Sequence, residues 1–252
     1  MVISFWSEFS IFLLAAFFGS IAILPYSLRL LKSSKSKKLK MPYGMLFLLS
    51  IIQNIVLFAV TIGIGLVATH QIGLNVQWVN TQNLLLPVLL GILGGGFLLI
   101  ADMLFLPYFP EKLLNTALKT TLWENFTASF YGGINEELFT RLFGVSVIAW
   151  LLSKIWHTPV GLPTTSVYWT AIVFMAIIFA LGHLPALKGI MDKITSVMFF
   201  RTILLNTPIG LLCGWLFWQY GIEAAILAHF AADIVYHIGG TLVLRSKFKR
   251  NS

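Results

Sequence analysis

The chain has 252 residues, 58% of them hydrophobic and only 10% charged. Soluble domains carry about 25% charge, so the composition excludes a water-soluble globular protein and points to a polytopic membrane protein. The net charge of +8 does not indicate nucleic-acid binding, because the basic residues lie between apolar segments and at the C-terminus, where they read as topology signals.

Seven apolar segments approach the ~20 residues that a bilayer needs. The first spans about 10–28, with no basic residue before it and hence no signal-peptide pattern. A basic loop with Arg29, Lys32, Lys35, Lys37, Lys38 and Lys40 follows, then the second segment, 43–69, and a loop to residue 83 without Lys or Arg. The third, 84–109, carries Asp102 and the run Gly94–Gly96, which lacks the following Lys-Ser/Thr of a phosphate loop. Lys112 and Lys119 precede the fourth, 126–152, and the stretch 107–125 has room for an interfacial or re-entrant helix. Lys154 and the breakers Pro159, Gly161 and Pro163 lead to the fifth, 166–183, which Pro185 is expected to end. Lys188, Lys193 and Arg201 precede or open the sixth, 197–220; Gly221 turns the chain into the seventh, 222–244, before Arg245, Lys247, Lys249 and Arg250.

The positive-inside rule tests this reading. With the first loop cytoplasmic, Lys154 is the one basic residue left outside and Arg141 lies within the membrane; the rest of the 17 Lys and Arg fall inside. The expectation is an all-α polytopic membrane protein of about seven transmembrane helices, a single integral membrane domain over 1–252, N-terminus outside and C-terminus cytoplasmic. Cys213 is the single cysteine, so neither an internal disulfide nor a Cys-based zinc site is expected.

The fourth segment holds Gly133-Ile-Asn-Glu136-Glu137-Leu-Phe-Thr-Arg141. A charge at bilayer mid-depth costs about 2.5–3.5 kcal/mol on insertion scales, so such groups are functional candidates. Glu137 and Arg141, at i and i+4, share a face within pairing reach. Glu136 is rotated about 100° away and is left for chemistry. His183 closes the fifth segment, and His229, Asp233 and His237 recur at i, i+4 and i+8 on the seventh. His237 reads as a hydrogen-bonding group across a helix pair, and Asp102 as a snorkelling or capping residue near the cytoplasmic end of its helix. Gly210 and Gly214, spaced for close helix approach, read as packing within the bundle.

Glu with His can bind and deprotonate a water, as peptide hydrolysis without a covalent intermediate requires. A second His and an Asp can stabilise the resulting oxyanion. Glu136, His183, His229 and Asp233 could equally ligate a divalent metal such as zinc, which would acidify a bound water. The residues leave both mechanisms open. Their depths suggest a cavity entered from the cytoplasm.

Glu136-Glu137-x-x-x-Arg141, Phe179-x-x-x-His183 and His229-x-x-x-Asp233 resemble the three signature motifs of the CPBP (Abi) family of intramembrane proteases, which includes the type II CAAX prenyl endopeptidases. Gly210-Leu-Leu-Cys-Gly214-Trp215 before Ala224-Ala-Ile-Leu-Ala-His229 is similar to the family's approach to its last motif, and the resemblance covers about 125–240. It implies an α-helical core with an intramembrane site. Glu136 would be the general base, with His183 helping to hold the water. His229 and Asp233 would form the oxyanion site, and Glu137 with Arg141 would orient the first motif's helix. No cofactor, or a divalent metal, is implied.

Two departures stand out. Position 233 is Asp where the CAAX enzymes have Asn, and an ionised Asp cannot donate to an oxyanion; it must be protonated, ligate, or orient His229. Leu142 replaces the small Gly usual after the motif arginine. The first departure weakens the expectation of a prenylated CAAX substrate. The sequence thus predicts an endopeptidase acting on a membrane-inserted or lipidated peptide within a lipid bilayer, in a bacterial plasma membrane. The competing readings are a proton- or ion-coupled transporter using the same polar groups, which lacks the expected internal repeat, and a non-catalytic peptide-binding immunity protein.

Overall fold

The computed structural model describes residues 4–33, 41–74, 76, 84–191 and 193–249, with the backbone alone at 32, 33 and 249. The loop lysines 35, 37, 38 and 40, tail residue Arg250 and most of the stretch 75–83 lie outside the described residues.

The chain is all-α among the described residues, apart from one isolated bridge between His157 and Pro163. Helix α1 (Phe5–Ala22) starts where the Ser4 hydroxyl accepts from the Ser7 amide, and after a short break α2 (Leu24–Ser33) continues toward the basic loop. Helix α3 (Tyr43–Gln71) returns, and α4 (Leu85–Phe105) runs into a short 3-10 turn, Leu106–Tyr108. The stretch 107–125 does hold an extra helix, α5 (Glu111–Lys119). Its Leu113, Leu114, Ala117 and Leu118 fall on one side, and Lys112, Asn115 and Lys119 on the other, the pattern of a helix lying at an interface.

Helix α6 (Leu122–Phe130) opens with a capping box, Thr121 and Glu124 satisfying each other's backbone amides. It continues without a break through two π-helical stretches, Tyr131–Glu136 and Leu138–Val145, into α7 (Ser146–Ser153). Then come α8 (Thr165–Gly182) and α9 (Leu184–Ile190). Pro185 does not simply stop the fifth segment. It occupies the first turn of α9, where its missing N–H has no helical partner to lose. Helix α10 (Ser196–Tyr220) leads through Gly221, at φ 94°, straight into α11 (Ile222–Asp233); a third π-helical stretch, Ile234–Gly239, joins it to α12 (Gly240–Lys249).

Among the described residues six helices are long and apolar enough to cross a membrane: Phe5–Leu31, Tyr43–Gln71, Leu85–Tyr108, Thr165–Ile190, Ser196–Tyr220 and Ile222–Phe248. The helical run 122–153 is the seventh by length. It carries four charged residues, Glu124, Glu136, Glu137 and Arg141, and the last three fall within six positions in its middle. Only its apolar part, 126–152, is read as membrane-embedded, which leaves its first turn outside.

Large apolar side chains such as Trp6, Leu14, Val56, Leu93, Ile100 and Leu104 point outward, as a lipid solvent permits, while polar groups turn inward. Thr69 donates to Ser146 Oγ at 2.9 Å, and Asn135, fully buried, donates to Ala16 O and Ser20 Oγ at 2.9 and 3.0 Å. Small residues set the helix spacing. A Cβ on Gly210 or Gly214 would come within 2.9 Å of Ala176 or 2.6 Å of Ile172, so this pair packs α10 on α8 inside the bundle. Gly91 and Gly95 of α4 do the same against the backbone of Ala228 and Ala232, at 2.2 and 2.5 Å. That second pair brings α4 against α11, beside the polar centre.

Candidate active site inside the bundle

The three motif-bearing segments bring their polar groups to one place. Glu136 closes the first π-helical stretch, where Thr140 Oγ1 donates to the Glu136 carbonyl at 2.5 Å. Such wide turns recur at functional sites because they rotate a side chain out of the α-helical register. The Glu136 side chain is 28% exposed, and its Oε2 lies 4.0 Å from Nε2 of both His183 and His229.

Each imidazole is held by its other nitrogen. His183, in the turn after α8, has Nδ1 at 2.8 Å from Phe179 O, and a carbonyl only accepts, so Nδ1 carries the proton. His229 has Nδ1 at 2.5 Å from Glu137 Oε1. Both rings therefore turn Nε2 toward Glu136. The Phe179 ring stands edge-on to both, with centroids 4.7 Å from His183 and 5.7 Å from His229.

Glu137 and Arg141 pair as their spacing predicts, at 2.7 Å and fully inside the protein. Arg141 also donates to Thr140 Oγ1 and to Gly210 O at 3.0 Å, and lies over Phe179 at 5.0 Å. The sequence reading gave Glu137 one partner; the structure adds His229. Nothing in the sequence signals a contact between residues 92 apart.

Asp233 sits between two histidines on its own helix, Oδ1 lying 3.7 Å from His229 Nε2 and 3.6 Å from His237 Nε2. His237, read as a cross-helix hydrogen-bonding group, thus faces the polar centre. A Cβ on Gly132 would meet Asp233 Oδ2 at 2.3 Å, so the absence of a side chain there makes the room Asp233 occupies. Asp102 neither snorkels nor caps. It forms a two-point ion pair with Arg201, at 2.5 and 2.8 Å, and accepts from Tyr236 Oη at 2.9 Å. Arg201, counted as a topology signal, is in fact consumed inside the fold.

A tetrahedral zinc ion with ligands at ~2.0–2.1 Å places neighbouring ligand atoms ~3.3 Å apart. The separations among Glu136, His183, His229 and Asp233, 3.7 to 4.0 Å where they face one another, are a few tenths of an ångström wider. With Nδ1 of each histidine engaged, Nε2 is presented in the manner of a metal ligand. No three of these four residues bring ligand atoms within 4.8 Å of one another, so as placed they do not enclose a divalent ion, whereas the 4.0 Å gaps from Glu136 to each histidine suit a directly held water. Among the described residues Glu137, Cys213 and His229 do bring ligand atoms within 4.8 Å of one another. That trio does not suit a cation, because the Arg141 guanidinium already sits on Glu137.

Fold and site together define a polytopic α-helical membrane protein with a carboxylate–histidine centre inside its bundle. Residues 118–235, a little under half of the chain, match the family model described as type II CAAX prenyl endopeptidase Rce1-like; the chain carries an Rce1-like domain. The match spans all three motif-bearing segments and supports, in general terms, a CAAX-type intramembrane endopeptidase. No curated protein and no solved structure gives a significant match.

Proposed function

We propose that this protein hydrolyses a peptide bond in a membrane-inserted or lipidated peptide, with water activated by Glu136. The observation that carries the reading is the placement of Glu136 Oε2 at 4.0 Å from Nε2 of both His183 and His229. One water bridges such a gap with hydrogen bonds of ~2.8 Å.

In this mechanism His183 Nε2 accepts from the water and fixes its position, and Glu136 takes the other proton. The hydroxide oxygen bonds to the scissile carbonyl carbon, and the carbonyl electron pair moves onto oxygen. His229, with Nδ1 donating to Glu137, offers Nε2–H to that oxyanion when its ring is protonated; Glu137 supports the cationic ring. Asp233 orients His229, or donates when protonated. The C–N bond then breaks, its electron pair leaves with nitrogen, and Glu136 returns the proton to the leaving amine. A divalent metal such as zinc would be held by His183, His229 and a carboxylate of Glu136 or Asp233 only if those side chains drew together, and would then lower the pKa of its water. The basic end of the bundle faces the cytoplasm of a bacterial plasma membrane in this reading, with the N-terminus outside.

The test is cleavage by the purified, reconstituted protein of a pool of farnesylated and unmodified membrane peptides, read by mass spectrometry. Wild type and Glu136→Gln are compared with and without a strong chelator. Products made by wild type and lost in the variant are expected. Chelator sensitivity reversed by added metal would assign the water to a metal. Identical products from both proteins would remove Glu136 from the chemistry, and their absence from both would favour a peptide-binding protein.

A further inference from the structure

Of the six spanning helices, α3 is the least buried against its own chain. Its buried residues begin at Phe58, so none of residues 43–57 is buried. Gln53 lies in that stretch and is exposed. The helix has 29 residues, which places Gln53 one turn from the midpoint at Leu57. It stands ~15 Å along the axis from Tyr43, inside the ~30 Å hydrocarbon core of a bilayer.

The amides of Asn135 and Asn206 are engaged: Asn135 donates to Ala16 O and Ser20 Oγ, and Asn206 to Thr202 O at 2.7 Å. No described residue hydrogen-bonds the side chain of Gln53 or of its neighbour Asn54. Lipid tails offer an amide neither donor nor acceptor, so a Gln exposed at this depth is satisfied only by another helix.

Gln53 also belongs to a seam. Ser50, Gln53, Leu57, Val60, Ile64 and Val67 are all exposed and recur at alternating steps of three and four. That is the spacing of a helix that pairs with another at a shallow left-handed crossing. Charge complementarity selects the partner. A carboxamide carries partial positive charge on its N–H groups and partial negative charge on its oxygen, so it both donates and accepts. The patch is therefore complementary to itself. Copies of one chain enter the membrane in one orientation, set by their basic loops. A two-fold axis along the membrane normal then brings Gln53 opposite Gln53 at equal depth. A helix of another protein would need its own polar side chain at that same depth.

We propose that α3 is the contact through which two copies of this chain pair in the membrane, side by side and parallel, with the two Gln53 side chains hydrogen-bonded to each other. Pairing is measurable without a substrate and does not depend on the hydrolytic reading.

The experiment uses the full-length protein in proteoliposomes, with subunits counted by single-molecule photobleaching over a range of lipid-to-protein ratios. Wild type should pass from one subunit to two as its density rises. Gln53→Leu should raise the dissociation constant of the pair about threefold to twentyfold, the scale of one polar contact between membrane helices. It should unfold no more readily than wild type, because it gives up no hydrogen bond within the chain. Gln53→Asn keeps the amide and should keep most of the pairing. Under mild oxidation Leu57→Cys should form a disulfide-linked dimer, and Leu48→Cys, exposed on the opposite side of α3, should not. The native Cys213 is buried and should not compete.

Single subunits at every density would overturn the pair and leave the seam to lipid or to a different membrane protein. Pairing that Gln53→Leu leaves unchanged, or that crosslinks through position 48 instead of 57, would overturn α3 as the contact.

Discussion

Glu137 Oε1 lies 2.5 Å from His229 Nδ1, linking the first motif to the last through a carboxylate that Arg141 holds from the other side at 2.7 Å. The three groups form a buried relay of position: Arg141 fixes Glu137, and Glu137 fixes the His229 ring so that Nε2 faces Glu136. The second carboxylate of the Glu-Glu pair is thus a positioning residue for a histidine two helices away.

Glu137→Ala leaves Arg141, 2% exposed, without its anion. Breaking a buried pair from one side costs about 3–5 kcal/mol, so thermal unfolding in detergent should show a large loss. The double variant Glu137→Leu/Arg141→Met removes both charges and should regain most of that stability. It should not regain peptide cleavage, because His229 Nδ1 no longer has an acceptor. A fully active double variant would refute the positioning role.

Glu136 behaves in the opposite way. Its Oε2 stands 4.0 Å from Nε2 of both imidazoles and its carboxylate is part-exposed. Glu136→Gln should therefore leave the unfolding temperature nearly unchanged while cleavage falls by about 10²–10⁴, the range for a lost general base. A variant that unfolds as readily as Glu137→Ala would show that Glu136 is structural.

Gly132→Ala tests the backbone approach at Asp233. The new Cβ would stand 2.3 Å from Asp233 Oδ2, so the carboxylate must swing away from His229 and His237. Displacements near 1 Å can slow an enzyme about 10²-fold. Activity should fall while far-ultraviolet circular dichroism stays native. Wild-type turnover in Gly132→Ala would mean that the position of Asp233 is immaterial.

The acid limit of stability should trace in part to Glu124, which lies outside the apolar part of its helix. Burial pushes its carboxyl up, but hydrogen bonds from Arg29, then from the Thr121 amide and hydroxyl, outweigh this and hold it below the usual value of about 4.5. A carboxylate lowered on folding stabilises above its unfolded pKa, and that stabilisation is lost as pH falls through the folded value. The unfolding temperature should be steady down to about pH 4.5 and drop below it. Glu124→Gln should be less stable at pH 7 and flatter across that acid range; a parallel curve for the variant would exclude this origin.

The class and the candidate site could be read from the order of residues alone. Its apolar runs are long enough to span a bilayer, and a charge inside one is too costly to keep without a use, so Glu136, Glu137, Arg141, His183, His229 and Asp233 were legible as a set. Local periodicity also placed Glu137 with Arg141, and Asp233 between His229 and His237. Tertiary packing set what no local period encodes: the Glu137–His229 bond, the Asp102–Arg201–Tyr236 network and the break at His183 between α8 and α9. These depend on how far each helix is rotated and how closely it approaches its neighbours. That is set by Gly91, Gly95, Gly210 and Gly214 meeting particular backbones, and by π-helical turns that rotate Glu136 and His237 out of the α-helical register. The physical reason is that helical propensity is a property of neighbours in the chain, whereas rotation and approach are settled only when all the faces pack at once.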